Sequence, residues 1–230
     1  MKTSSLQVQS TTKKRPRASA AQSLGTCAGE GVYFIDGFLS KDECGLILEE
    51  LDSVFWHPSL TYRQQPDGKY QNQLTSFRVS QTAHQEWFGE KLLAILAGIE
   101  TRLQKLFRAK PSNLEQWQAT DYCRHGMFDY HLDSGYWQDH YAGERILTFL
   151  LHLRTPLKGG GTDFRALDTY IDGRAGRLVV WENLFPNGDC NYKMMHSSTP
   201  LLKGKKTTLV TWLRQKKYRN VDTALLGGKR

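Results

Sequence analysis

No apolar run in the 230 residues approaches the ~18–20 needed to span a bilayer. The first residues also lack the continuous apolar stretch of a secretory signal. Cysteine is sparse: Cys27, Cys44, Cys123 and Cys190 make no C-x-x-C pair and no zinc spacing, so they read as free thiols and not as a disulfide framework. The glycine run Gly159–Gly161 is not followed by Lys-Ser/Thr and a helix, which excludes a phosphate loop and leaves a tight turn. No internal repeat is evident. These absences make a soluble, cytoplasmic protein without a membrane partner the expectation.

Charge is present in excess of one sign, with a net +8, but it is unevenly placed. Residues 1–25 hold five basic residues and no acid, and residues 214–230 hold six against Asp222 alone. The stretch between them is therefore slightly acidic. Charge runs at termini are usually solvated, so nucleic acid is disfavoured as a partner. The run Lys13-Lys14-Arg15-Pro16-Arg17 matches a nuclear import signal, although such short matches are common; it leaves a nuclear location open.

Residues 1–29 are rich in Ser, Thr, Gln, Ala and Lys with no apolar period, and are expected to be a disordered lead-in. The folded domain is expected over 30–214, with a basic tail at 215–230. Val32–Ile35 suits a strand. Ser40 followed by Glu43 is a capping-box signature, opening a helix that carries Cys44, Ile47, Leu48, Leu51 and Val54 at helical spacing. Residues 62–74 are polar, with Pro66-Asp67-Gly68 as a turn signal, and read as a surface loop, with a substrate lid as the second reading. Phe88, Leu92, Leu96, Ile99, Leu103 and Leu106 then mark one buried helical face. In the second half, short segments near 114–122, 128–133, 145–153, 162–165, 177–183, 192–197 and 206–214 are rich in aromatic, Thr or branched residues. They read as strands. The fold class is mainly β with flanking helices (α+β), a sandwich or barrel.

His131-Leu132-Asp133 falls in one of these segments, where residues i and i+2 share a face. With 7 His and 13 Asp in the chain, chance alone supplies about 0.4 such His-x-Asp pairs, so the pair by itself is weak. A third ligand is needed, and His196, just before the last strand segment, is the best candidate. Two His and one carboxylate form the facial triad of non-haem Fe(II), which leaves positions open for co-substrate and O2. Lys206 lies ten residues beyond His196, and a Gly turn between them can return its ammonium to the same pocket. There it can pair with the far carboxylate of a dicarboxylic acid, a contact worth about 1.5–3 kcal/mol. Tyr136, Trp137 and Tyr141 follow the metal pair and are candidates to line a substrate mouth. His140 beside Asp139 mimics a ligand pair, but adjacent strand residues face opposite ways.

Together these pieces resemble the prolyl 4-hydroxylase family of 2-oxoglutarate oxygenases. Tyr122 stands nine residues before His131; Arg145-Ile-Leu-Thr148, Gly159-Gly-Gly-Thr162-Asp-Phe164 and Gly176 through Asp189 follow; His196, Pro200, Gly204, Lys206 and Trp212 close the match. The resemblance spans about residues 31–214. It implies a double-stranded β-helix (jelly-roll) core, with Fe(II), 2-oxoglutarate and O2, and ascorbate as a further cofactor. It assigns His131, Asp133 and His196 to the metal and to catalysis, and Lys206 to 2-oxoglutarate. Tyr122, Thr148, His152 and Trp212 join Lys206 among the co-substrate residues. One departure is clear: where the family usually has a tyrosine that contacts 2-oxoglutarate, this chain has His152, which either replaces that contact or reshapes the pocket.

The expected activity is therefore hydroxylation of an aliphatic C–H in a peptidyl or free amino acid, proline first, with succinate and CO2 as co-products. A natural-product hydroxylase acting on a small amino acid derivative is the second reading. Nucleic-acid demethylation and an inactive binding module come after it. Sequence gives no oligomeric state.

Overall fold

A computed structural model describes residues 25–220 except Gln65 and Lys69. The basic run Lys13–Arg17 lies outside the described residues, as do positions 221–230. The strands are β1 (Thr26–Gly29), β2 (Val32–Ile35), β3 (His57–Pro58), β4 (Thr61–Gln64), β5 (Tyr70–Gln73), β6 (Arg78–Val79), β7 (Gln81–His84), β8 (Gln118–Tyr122) and β9 (Met127–His131). They continue as β10 (Arg145–His152), β11 (Lys158–Gly159), β12 (Thr162–Phe164), β13 (Thr169–Ile171), β14 (Leu178–Glu182), β15 (His196–Ser198), β16 (Leu201–Lys203) and β17 (Lys206–Arg214). Two helices, α1 (Lys41–Leu51) and α2 (Glu90–Phe107), separate the early strands.

The strands form an eight-stranded antiparallel sheet in the order β1-β2-β14-β10-β17-β8-β7-β3, and a five-stranded antiparallel one in the order β13-β12-β15-β9-β6. This is the expected jelly-roll architecture with flanking helices. Period-2 alternation divides the large sheet into two faces. Leu147, Phe149 and Leu151 of β10, Leu178 and Val180 of β14, and Leu209 and Leu213 of β17 pack in one core with α1 and α2. Val179 and Trp181 of β14 belong to a second core with Phe164, Ile171 and Met194, against which Leu150 packs. The helices thus cover one face of the large sheet, and its other face is turned to the smaller sheet.

Both helices start where their sequences specify, but α1 stops at Leu51 with Asp52 as its C-cap, before the expected Val54. The Ser40 hydroxyl accepts from the Glu43 backbone N–H at 3.1 Å while the Glu43 carboxylate accepts from the Ser40 N–H at 2.8 Å, a complete capping box. Leu92, Leu96, Ile99, Leu103 and Phe107 form the buried stripe of α2, which ends at Arg108 with φ +56°.

Four expectations are corrected. Residues 62–74 are not a plain loop: β4 and β5 pair antiparallel, with Tyr62 opposite Asn72, about the turn that Pro66-Asp67-Gly68 signalled. The segment 192–197 is not one strand, because Tyr192–Met194 make a 3-10 turn and the strand begins at His196. The fold begins before residue 30, since Thr26 pairs with Phe34 in the large sheet. It also continues past 214. Tyr218 N–H donates to Ser112 O at 2.8 Å, and the Arg219 guanidinium binds the buried Glu100 carboxylate. Part of the basic "tail" is therefore docked, because a buried acid recruits one of its cations.

The central strand β10 carries apolar packing on one face and polar groups on the other, so it couples stability to site geometry. Phe149 is fully buried and meets Phe107 edge-on at 5.3 Å. Phe149→Ala is expected to lower unfolding free energy by about 3–5 kcal/mol, read from urea unfolding. A loss below about 1 kcal/mol would show that β10 does not hold the sheet to the helices.

Candidate metal centre and its cavity

His131 closes β9 and His196 opens β15, and the two are directly opposed in the small sheet. Asp133 lies just past the end of β9, in the loop and not within the strand as expected. Its position is fixed from the large sheet. Thr148 Oγ1 donates to Asp133 Oδ2 at 2.7 Å, and Asn183 Nδ2 donates to Thr148 Oγ1 at 2.8 Å. The result is a cluster in which one ligand atom from each of His131, Asp133 and His196 lies within 4.8 Å of the others. Asp133 Oδ1 is 3.9 Å from His131 Nε2, and its Oδ2 is 3.9 Å from His196 Nε2.

The imidazoles are set up as ligands by their second nitrogens. His131 Nδ1 is 2.8 Å from Asp129 O, and His196 Nδ1 is 2.9 Å from Met194 O. A carbonyl can only accept, so each Nδ1 carries the proton and each Nε2 presents a lone pair to the cluster. Burial, reinforced by the neighbouring His196, pushes the His131 pKa down to about 3, which keeps that ring neutral. Burial raises the Asp133 carboxyl, but His196, His131, Arg145 and the Thr148 hydroxyl outweigh it and hold the pKa below the ordinary value. Two neutral imidazoles and one carboxylate, open on one side, fit a divalent transition metal.

That open side is a cavity of about 370 Å³, onto which all three triad residues and Lys206 open. Lys206 is 2% exposed, and its ammonium donates to Ser198 Oγ at 2.6 Å and lies 4.6 Å from the centre of the Tyr122 ring, its cross-strand partner. Among the described residues no carboxylate pairs with it. Burial alone pushes its pKa down to about 7. An ammonium held this way is poised for an anion that enters the cavity.

The other sequence candidates separate. Tyr122 and Trp212 line the cavity, and Arg145 lies over the Trp212 ring at 3.7 Å. Thr148 is fully buried and serves Asp133 directly. His152 follows Thr148 and Leu150 on the same face of β10, but it is 0% exposed and neither ring nitrogen has a hydrogen-bond partner. Burial, with Lys206 and Arg177 nearby, pushes its pKa to about 3. Of the mouth aromatics, Tyr136 and Trp137 line the cavity. Tyr141 does not, since its hydroxyl donates to Tyr218 O at 2.7 Å. Gly159 and Gly160 adopt φ of +72° and +73°, and a Cβ on Gly159 would stand 2.2 Å from Pro200 O, as a tight turn requires.

Sequence reasoning missed Arg78, His57 and His84, which also line the cavity. Arg78 lies over the Phe128 ring at 4.7 Å, with one guanidinium nitrogen donating to Leu60 O at 3.1 Å. These three belong to β3, β6 and β7, strands too short for alternation to reveal.

No family model matches the chain. It is 30% identical over 146 residues to prolyl 4-hydroxylase subunit alpha-1 of Gallus gallus, covering 61% of this chain and 28% of that protein. It is 24% identical over 204 residues to prolyl 4-hydroxylase 13 of Arabidopsis thaliana, covering 81% of this chain and 72% of the relative. The chain is thus similar in sequence to prolyl 4-hydroxylases. It spans less than a third of the length of the chicken protein. In fold it is similar to the viral collagen prolyl hydroxylase of Paramecium Bursaria Chlorella virus-1, solved with 2-oxoglutarate. The TM-score is 0.60 at 23% identity, over 83% of this chain and 99% of that one. No helix among the described residues is long and apolar enough to cross a membrane.

Two measurements test this site. Anaerobic titration with Co(II) is expected to find one tight site. His196→Ala and Asp133→Ala should abolish it, while Thr148→Val, which only frees the carboxylate, lowers affinity about 10- to 100-fold. Unchanged binding in Asp133→Ala would remove the carboxylate from the ligand set. The metal-free protein should also lose stability as pH falls. The loss starts at 6.5, where an unfolded imidazole takes up a proton, and is complete near 3, where the buried one does too. His152→Leu should flatten part of that slope in urea unfolding across the acid range. An identical slope would show that His152 does not contribute to it.

Proposed function

We propose that the chain is an iron(II)- and 2-oxoglutarate-dependent dioxygenase that hydroxylates an aliphatic C–H, most readily that of a peptidyl proline. The observation that carries this reading is the pairing, in one cavity, of an open His-Asp-His cluster with a buried ammonium that has no acid partner among the described residues. A His/His/carboxylate set alone suits several metal chemistries. The lone Lys206 narrows them to a reaction whose co-substrate brings its own second carboxylate.

His131, Asp133 and His196 would hold Fe(II). Bound there, Fe(II) with 2-oxoglutarate and O2 supplies the oxidising power that turns C–H into C–OH, with succinate and CO2 released. The chain's own contribution is placement. Lys206, with Ser198 and the Tyr122 ring beside it, would receive the distal carboxylate. Thr148 and Asn183 hold Asp133 in one orientation. Trp181, buried and 4.6 Å from His196 between ring centres, packs against that ligand ring. Leu150 and Val210 give the cavity an apolar wall. Two of the relatives in sequence are named for prolyl 4-hydroxylation and the structural neighbour for collagen prolyl hydroxylation, which supports peptidyl proline ahead of a free amino acid.

Lys206 provides the sharpest test. Anaerobic calorimetry with the Fe(II)-loaded protein is expected to show 2-oxoglutarate affinity reduced about 10- to 100-fold in Lys206→Met. Because only the ammonium attracts the carboxylate, wild-type affinity should fall as pH rises through about 7. A profile flat across neutral pH, with affinity retained in Lys206→Met, would place the distal carboxylate elsewhere. Mass spectrometry should find one added oxygen on a proline-containing peptide, and none with His131→Ala.

A further inference from the structure

The loop that follows Asp133 is held by hydrogen bonds more than by packing. Its buried side chains, Ser134, Ala142 and Glu144, are small or polar, and Tyr136 and Tyr141 are exposed. From within, the Glu144 carboxylate accepts from the Gly135 N–H at 3.1 Å and the Trp137 N–H at 2.8 Å. Those bonds fold the loop so that Tyr136 and Trp137 line the cavity. From outside, the chain just past β17 grips the same loop. Gln215 N–H donates to Glu144 O at 3.1 Å, its Oε1 accepts from Glu144 N–H at 3.0 Å, and Lys216 N–H donates to Ala142 O at 2.9 Å. The Tyr141 hydroxyl donates to Tyr218 O at 2.7 Å, and the Tyr218 ring stacks on His140 at 5.9 Å.

This segment has an anchor of its own. Tyr218 and Arg219 N–H both donate to Ser112 O, at 2.8 and 3.1 Å, and Arg219 Nε donates to Pro111 O at 3.1 Å. The guanidinium ends on the Glu100 carboxylate of α2, which is 5% exposed and also accepts from Trp117 Nε1 at 2.9 Å. A carboxylate buried so deeply needs a cation beside it, and this one draws its cation from beyond the last strand. We propose that residues 215–219 are a positioning strap: anchored by Arg219 on Glu100, they set where the cavity wall of Tyr136 and Trp137 stands. Asp133 is not part of this linkage, because Thr148 holds it from β10. The strap therefore governs the wall and not the metal cluster. Its effect on substrate rests on the dioxygenase reading above, whereas the positioning itself does not.

The test uses the full chain and hydrogen exchange read by mass spectrometry, comparing peptides that span 134–144 with those that span β10. Tyr141→Phe removes one tie without touching the buried ion pair. It is expected to speed exchange in 134–144 about threefold to tenfold and to leave β10 as it was. Arg219→Ala should loosen the loop at least as much, and Arg219→Lys should restore part of the protection. Because Arg219→Ala strands a buried carboxylate, Glu100→Gln/Arg219→Met, which removes both charges, keeps the result readable if the single variant does not fold. In Tyr141→Phe, Co(II) affinity should not change, while KM for a proline-containing peptide rises about threefold to tenfold at unchanged kcat. A loop unaffected in every variant would overturn the proposal. Exchange that accelerates equally in β10 would do so too, since the segment would then staple the whole fold, as would a looser loop with KM unchanged. If wild type hydroxylates no peptide and the loop alone still loosens, the strap stands and the reading of the reaction falls.

Discussion

The site depends on the strict alternation of β10 and β17. On β10, Leu147, Phe149 and Leu151 face the helices, so Thr148, Leu150 and His152 must face the small sheet. On β17, Leu209 and Leu213 are in the helical core, and Lys206, Thr208, Val210 and Trp212 line the cavity. A slip of one residue would move the Lys206 ammonium into hydrocarbon and a leucine into the cavity. The apolar face therefore fixes the register, and the register fixes the polar groups. Chemistry on one side of the sheet is aligned by packing on the other.

This explains which parts were legible in the sequence. Helix α2 and strands β10, β14 and β17 are long enough for periodicity to appear, and the capping box at Ser40 is a local pattern that needs no tertiary context. The triad was legible for a different reason: His131, Asp133, His196 and Lys206 lie in order along the chain with recognisable neighbours. What could not be read comes from pairing at a distance. Two-residue strands such as β3 and β6 have no period, and the β4–β5 hairpin is polar throughout. Arg78 looked like any surface arginine until its strand paired with β9, bringing it over Phe128. Tyr141 looked like a mouth aromatic until residue 218 was seen to accept its hydroxyl proton.

Electrostatics give the cavity its character. Lys206 and Arg78 both open onto it, against the single carboxylate of Asp133. Burial lowers the pKa of both cations, because poor solvation disfavours their charged forms until an anion arrives to offset it. Once a divalent metal has taken up Asp133, no other acid among the described residues of the wall compensates either cation. Ligands that bring negative charge gain most in such a place. His152 extends the same logic: a neutral imidazole with two unpartnered nitrogens behind Lys206 is costly to bury, yet it adds no further charge beside an ammonium already strained by desolvation.

The segment from β3 to β7 joins these elements into one device. Arg78 and Val79 pair with β9 at the edge of the small sheet, and Gln81–His84 pair with β8 in the large one. Ser80 alone separates them, so the chain passes from one sheet to the other within a single residue and closes that side of the jelly roll. The closure places Arg78 on one wall and His84 on the other, then turns outward through Gln85–Trp87. The same short crossover that seals the cavity therefore also carries its aromatic surface to the outside. The backbone that bounds this side of the cavity is thus also the backbone that presents Trp87 to solvent.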